Sequence, residues 1–176
     1  LSDPLALDLD GDGIELAALD NPDGSSLSNV HFDLDGNGFA ERTGWVSSDD
    51  GILVRDINQN GTVDNVTELF GSSTVDGFTK LETLDANMDG KIDAADAAFS
   101  DLRVWRDFNQ NGVSEAGELF TLAQLGITQI SVQTQDATGT NAGHDLGVTS
   151  SFTRTDGSTG QATSIWFQTD NQDTVP

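Results

Sequence analysis

Five times in 176 residues the chain sets an oxygen-bearing side chain at every second position and ends the run with glycine. The copies are Asp8-Leu9-Asp10-Gly11-Asp12-Gly13, Asp33-Leu34-Asp35-Gly36-Asn37-Gly38, Asp56-Ile57-Asn58-Gln59-Asn60-Gly61, Asp85-Ala86-Asn87-Met88-Asp89-Gly90 and Asp107-Phe108-Asn109-Gln110-Asn111-Gly112. An EF-hand-type loop takes oxygens from positions 1, 3 and 5, a backbone carbonyl at 7, position 9 and a carboxylate at 12, with glycine at 6 for the sharp turn. One match is a weak signal, but five in one chain point to calcium, with roughly three to five ions bound.

The closing position separates the loops. The fifth is complete: Asp107, Asn109, Asn111, the Val113 carbonyl, Glu115 at position 9 and Glu118 at position 12. The fourth offers Asp85, Asn87, Asp89, the Lys91 carbonyl, Asp93 and the shorter Asp96. The third has Asp56, Asn58, Asn60, the Thr62 carbonyl and Asp64, with Thr67 at position 12 and Glu68 one residue later, as in a slightly enlarged loop. In the first (Asp8, Asp10, Asp12) and second (Asp33, Asp35, Asn37), Leu19 and Gly44 fall at position 12. These two read either as calcium turns closed from a distance, by Asp20, Glu41, Asp49 or Asp50, or as Asp/Gly turns without metal. Magnesium dislikes such wide cages, and zinc finds no cysteine and only two histidines.

Asp3-Pro4 is the one Asp-Pro bond in the chain. An aspartate carboxyl can reach its own backbone carbonyl, close a five-membered anhydride and expel the proline nitrogen. That nitrogen belongs to a tertiary amide, with no N–H and a reduced trans preference. Taken alone, such a bond is an ordinary turn or strand start. Histidine is a residue type suited to proton donation, which makes His31 a candidate, although its strand position suits a surface or structural role. Lys80 and Lys91 are the internal amines.

Thirty acids stand against seven bases, a formal charge of -23. This opposes compaction without counterions. It also argues against nucleic acid and membrane insertion, because no basic patch exists and no apolar run reaches the ~20 residues of a span. Three tryptophans and nine phenylalanines spread along the chain argue for a real core. Leu1 in place of methionine reads as a piece of a longer protein, and no signal peptide opens it.

The elements that must carry these groups are short. Pro4 to Leu9 alternates, predicting a half-buried strand with Leu5, Leu7 and Leu9 inward that runs into the first loop. Val30–Phe32 and Gly51–Arg55 read as strands, and Asn21–Gly24 as a turn. Phe78, Leu81 and Leu84 predict a helix leading into the fourth loop, Ala94–Phe99 a helix leaving it, and Thr121–Leu125 another stopped by Gly126. Ile127 to Val132 reads as a strand. Val148–Thr155 and Gln161–Thr169 form a hairpin around Asp156-Gly157-Ser158-Thr159-Gly160, and residues 171–176 form a loose tail. The expected fold is α+β: one strand-rich domain over 1–176, residues 1–3 being residual upstream segment, with short helices flanking EF-hand-like loops.

The segment Ser2-Asp3-Pro4-Leu5-Ala6-Leu7-Asp8-Leu9-Asp10-Gly11-Asp12-Gly13-Ile14-Glu15 resembles the opening of the self-processing module of iron-regulated, Frp-type RTX proteins of Gram-negative bacteria. Thr43-Gly44-Trp45-Val46, Asp49-Asp50-Gly51, Glu68-Leu69-Phe70-Gly71, Asp93-Ala94-Ala95-Asp96-Ala97-Ala98-Phe99 and Leu102-Arg103-Val104-Trp105 follow in order, so the likeness covers residues 2–135. It implies a secreted or cell-surface module that calcium folds. In such a module the Asp-Pro bond then breaks, with Asp3 as nucleophile and acyl donor and Pro4 as the new N-terminus. The freed aspartyl is hydrolysed or captured by a lysine amine of the same or a neighbouring molecule, giving an isopeptide crosslink. The competing reading is a calcium-rigidified spacer of a large adhesin. A calcium sensor is disfavoured, because sensors expose a Met-rich groove and this chain has one methionine.

Overall fold

The computed structural model describes residues 2–20 and 27–176, so the turn expected at Asn21–Gly24 lies outside the described residues. The strands are β1 (Leu5–Leu7), β2 (Leu16–Ala17), β3 (Val30–Phe32), β4 (Ala40–Thr43), β5 (Trp45–Val46), β6 (Gly51–Arg55), β7 (Lys91–Asp93), β8 (Leu102–Trp105), β9 (Leu119–Thr121), β10 (Ile127–Ser131), β11 (Gln135–Asp136), β12 (Thr140–Asn141), β13 (His144–Arg154), β14 (Thr159–Trp166) and β15 (Thr169–Val175). The main sheet runs β7-β10-β13-β14-β1-β6-β8-β9, with β11 and β12 paired to β13, while β15-β4-β3 and β2-β5 form smaller sheets. The β13–β14 hairpin turns inside the expected Asp156–Gly160 segment but is tighter, since Thr159 and Gly160 already pair with Thr153 and Phe152.

Successive residues of a strand point to opposite faces, and both faces of the main sheet are buried. Leu5, Leu7, Leu53, Val104 and Phe152 pack with Phe70, Phe78 and Leu81 in one core. Ala6, Ile52, Val54, Trp105 and Ile165 pack with Phe32, Trp45 and Phe167 in the other. Trp45 and Trp105 meet edge to face with ring centroids 5.4 Å apart, a favoured aromatic geometry. The expectation of a half-buried β1 is thus corrected. Its polar-looking face covers the second core, and the strand lies in mid-sheet between β14 and β6.

The α+β expectation is overturned as well. The architecture is a strand-rich β-sandwich or half-barrel. Among the described residues the helical content is one α-helix, α1 (Gly77–Glu82), and 3-10 turns at Val66–Glu68, Ala97–Asp101 and Ala123–Leu125. The helix α1 does lead into the fourth loop. It buries Phe78 and Leu81, and the Asp76 carboxylate caps it by accepting from Thr79 N–H at 3.0 Å. Ala94–Phe99 cannot extend a helix, because Asp96 has extended backbone and its carboxylate binds the N–H groups of Ala86 and Asp93. Local propensity yields there to loop closure. Residues 171–176 also depart from the loose tail expected. Most of them belong to β15, which pairs with β4, while Arg42 reaches Asp170 and Asp173.

Candidate functional site

All five acidic loops adopt one wrap. The carboxylate at position 1 accepts backbone N–H groups from within its own loop. Asp107 binds Asn111 and Gly112 at 3.1 and 2.8 Å, and Asp56 binds Asn60 and Gly61 at 3.1 and 2.9 Å. Asp85 binds Asp89 and Gly90, Asp33 binds Gly36, Asn37 and Gly38, and Asp8 binds Gly11 and Gly13. Position 6 is left-handed in every loop, as its glycine anticipates. Position 4 is left-handed too, and in loops three to five it holds Gln59, Met88 and Gln110 at φ of 57, 57 and 52°. Non-glycine residues tolerate that region only where the surroundings impose it.

The closing carboxylates are also equivalent. Glu118 accepts from Phe108 and Glu115 N–H, each at 3.1 Å. Asp96 accepts from Ala86 and Asp93 at 2.8 and 3.0 Å. Glu68, not Thr67, does the same in loop three, accepting from Ile57 and Asp64 at 3.1 and 2.9 Å. Thr67 instead turns to the Asn65 side chain. In loop one the matching residue is Asp50, far away in sequence, which accepts from Leu9 at 3.2 Å and Glu15 at 2.8 Å. Its oxygen converges with those of Asp8 and Asp10 to within 4.8 Å. In loop two Glu41 joins Asp33 and Asp35 in the same way. Of the four distant candidates, Asp50 and Glu41 enter these groups and Asp20 and Asp49 do not.

Every candidate donor set is oxygen, and in loops one and two three carboxylate oxygens converge, which fits a hard cation of calcium's size. Burial pushes Asp50 up to about 7 against the two N–H groups that support its charge. The fifth loop is joined to the aromatic core. Trp45 Nε1 donates to Asp107 at 2.8 Å and Trp105 Nε1 donates to Glu118 at 3.5 Å. Sequence reading missed both contacts, although Trp105 standing two residues before Asp107 was the available signal.

The equivalence of Glu68 with Glu118 gives an expected result. Glu68→Gln should raise the calcium concentration at half-maximal folding several-fold, whereas Thr67→Ala should leave it within about a factor of two, as befits an exposed turn contact. Calcium titration followed by circular dichroism measures both. An equal or larger shift for Thr67→Ala would return closure to position 12.

The other chemical feature sits beside β1. Ser2 and Asp3 are fully buried and Pro4 is buried with them. The Asp3 carbonyl lies close against two glycines. A Cβ at Gly71 would lie 2.2 Å from its oxygen and one at Gly77 2.8 Å. Gly71 also has φ +90°, so no other residue serves there without strain. Beyond the bond, the Pro4 carbonyl accepts from Ile165 N–H at 3.0 Å, and Leu5 stands opposite Ser164 in register.

The Asp3 side chain is in an unusual state. Neither carboxyl oxygen has a partner in hydrogen-bonding geometry, and among the described residues no cation forms an ion pair with it. Burial pushes its pKa up to about 7; the nearby Ser164 hydroxyl pulls the other way, the Asp76 carboxylate adds to the rise and the Gly77 N–H opposes it. Neutral and ionised forms are therefore comparably populated near neutrality. A neutral carboxyl carries both an attacking oxygen and the proton that a departing nitrogen requires.

The remaining candidates are placed elsewhere. His31 pairs with Asp173 at 3.1 Å in the β15-β4-β3 sheet. His144 is buried, its Nδ1 accepting from Gln168 N–H while Nε2 donates to the Ala17 carbonyl, and burial lowers its pKa. Lys91 is paired to Asp93 and Asp89, which raise its pKa. Among the described residues no carboxylate contacts Lys80; it donates to the Leu69 and Thr67 carbonyls, and partial burial lowers its pKa.

Comparison with known proteins adds to this geometry. A family described as the SPM domain matches residues 5–168, beginning immediately after Pro4. The chain is similar to the iron-regulated protein FrpA of Neisseria meningitidis serogroup C, with 45% identity over 178 residues. That similarity covers 96% of this chain and 16% of the relative, so the chain spans about a sixth of that protein's length.

Proposed function

The chain belongs to the SPM domain family, as a self-processing module of the Frp type, and from that premise we propose that it cleaves its own Asp3-Pro4 bond once calcium has folded it. The observation that carries this reading is the burial of Asp3 just before the central strand, with its carboxyl unpartnered and its carbonyl packed against Gly71 and Gly77.

The ions would be held by Asp107, Asn109, Asn111, the Val113 carbonyl and Glu118; by Asp85, Asn87, Asp89, the Lys91 carbonyl, Asp93 and Asp96; and by Asp56, Asn58, Asn60, the Thr62 carbonyl, Asp64 and Glu68. Asp8, Asp10 and Asp12 with Asp50, and Asp33, Asp35 and Asn37 with Glu41, would complete the set. Bound calcium supplies positive charge among carboxylates that otherwise repel. The chain's own residues do the rest. Folding closes β14 and β6 onto β1, removes water from Asp3 and sets its carboxyl beside its own carbonyl. An Asp3 carboxyl oxygen bonds to the carbonyl carbon, the bond to Pro4 nitrogen breaks, and the carboxyl proton passes to that nitrogen. Water then opens the anhydride to a free aspartate, or a lysine amine opens it to an amide with release of a carboxylate. Lys80, with no carboxylate partner among the described residues, suits that role better than the ion-paired Lys91 (an amine on another molecule serves equally).

A chain of this kind suits a secreted or surface protein of a Gram-negative bacterium: extended and self-repelling where calcium is scarce, folded where it is plentiful. The test uses protein carrying a longer N-terminal extension, incubated in millimolar calcium or in chelator and followed by intact-mass spectrometry. The expected products end at Asp3 and begin at Pro4, in calcium alone. Folded protein that stays uncut in calcium would favour the spacer reading.

A further inference from the structure

One buried polar group beside Asp3 has no part in the calcium loops. Ser164, on β14, is fully buried and stands opposite Leu5. Its oxygen accepts Val148 N–H at 2.9 Å, which leaves its own proton free to donate. The space for this arrangement comes from Gly147 on β13, within the register irregularity between Leu146 and Thr149. A Cβ at Gly147 would lie 2.4 Å from Ser164 Oγ and 3.6 Å from Asp3 Oδ2. The hydroxyl and the carboxyl thus border one small gap that a side chain at position 147 would fill.

A carboxyl that must close a five-membered ring on its own carbonyl depends on its rotation. Two torsions decide whether an oxygen meets the carbonyl carbon, and fixing them in advance removes an entropic part of the barrier. The carbonyl is packed closely against Gly71 and Gly77, where no side chain would fit. On the carboxyl side the uncharged donors at hand are the Ser164 hydroxyl and the Gly77 N–H, and of these the hydroxyl acts the more strongly on Asp3. Resting on the cleavage reading above, we propose that Ser164 is a positioning residue for the Asp3-Pro4 cleavage, its hydroxyl donating to one Asp3 carboxyl oxygen and turning the carboxyl onto Asp3's own carbonyl carbon. Ser164 itself neither gains nor loses a bond to carbon. The step remains carboxyl plus amide giving anhydride plus secondary amine, with the proton passing from Asp3 to Pro4 nitrogen and no outside acid consumed.

Among the described residues the charged group set against Asp3 is Asp76, ahead of α1. Gly71, Gly77, Gly147 and Ser164 carry no charge, so a change at Ser164 is read against a constant background.

The test compares wild type, Ser164→Ala and Ser164→Cys, all with the N-terminal extension, by intact mass at saturating calcium from pH 5.5 to 8.5. Ser164→Ala should cleave about 10- to 100-fold more slowly, with unchanged near-ultraviolet circular dichroism and calcium midpoint. The high-pH limb of its profile should move upward, because the ionised carboxyl loses a donor. Ser164→Cys, a weaker donor, should fall between, and it carries the same comparison if the alanine variant does not fold. Alanine and wild-type rates within twofold, or slowing with an unmoved limb, would overturn the positioning role while leaving the cleavage reading intact. An uncut wild type in calcium overturns both.

Discussion

Chelating calcium from the folded domain is expected to abolish its near-ultraviolet circular dichroism, and millimolar calcium to restore it. The formal charge of -23 is concentrated in the loops, where each closing carboxylate sits within reach of its position-1 partner's loop. A ligand present at a thousand times its dissociation constant stabilises a fold by about 4 kcal/mol per site. Several such sites together exceed the roughly 5–15 kcal/mol that holds a typical domain folded. The signal is well placed to report the loss. Trp45 and Trp105 are buried against one another and donate to Asp107 and Glu118, so the fifth loop cannot open without disturbing both indoles. Magnesium at the same concentration should restore little, since it favours octahedral sites that retain water. A full tryptophan signal in chelator would mean that the two apolar cores suffice, and calcium would lose its role as the trigger.

The second large effect is expected from Asp3→Asn: no cleavage, and a more stable fold at alkaline pH. The carboxyl's pKa rises from 3.8 when exposed to about 7 in the folded chain. The folded state therefore keeps a proton that the unfolded state has lost between those values. Relative stability is highest below the exposed pKa, falls as pH rises toward 7 and stays low above it. Three units correspond to about 4 kcal/mol at most, less the cost of burying an amide in the same unpartnered place. The comparison is made in a Pro4→Ala background, so that neither protein is cut, by urea denaturation in calcium at pH 5 and pH 8. The gain from Asp3→Asn should be larger at pH 8. An equal gain at both pH values, or a loss at pH 8, would show that Asp3 is held charged in the fold. The proposed proton transfer would then lack its source.

What the sequence makes legible here is what is local. Ligand spacing and the position-6 glycine lie within six residues, so all five wraps can be read directly, whereas the expected weakness of loops one and two is not seen: Asp50 and Glu41 supply the carboxylates that position 12 lacks. Glu68 was within reach of the same reasoning, one residue out of register. Asp50 could be narrowed only to one of four acids, because its position depends on where β6 docks beside β1. The helices flanking the loops were overread: Ala94–Phe99 has the propensity, but Asp96 is committed to two backbone N–H groups and bends the chain into a 3-10 turn. The seat of Asp3 was illegible for a related reason. Gly71 precedes α1 and Gly77 opens it, while Gly147 and Ser164 come from the distant β13–β14 hairpin. No short-range pattern links them to residue 3.

The place of β1 in mid-sheet also imposes an order on events. Its two neighbours are β6 and β14, so residue 5 meets residue 164 only after nearly the whole chain has been gathered. Closing so long a loop is entropically costly, and such contacts form late. Loops three to five can wrap using residues close at hand, whereas the surroundings of Asp3 exist only when the last hairpin has joined the sheet. On the cleavage reading, the cut then works as a completion signal. It certifies that both ends of the module have found each other, and a half-assembled chain keeps its Asp-Pro bond as inert as any other.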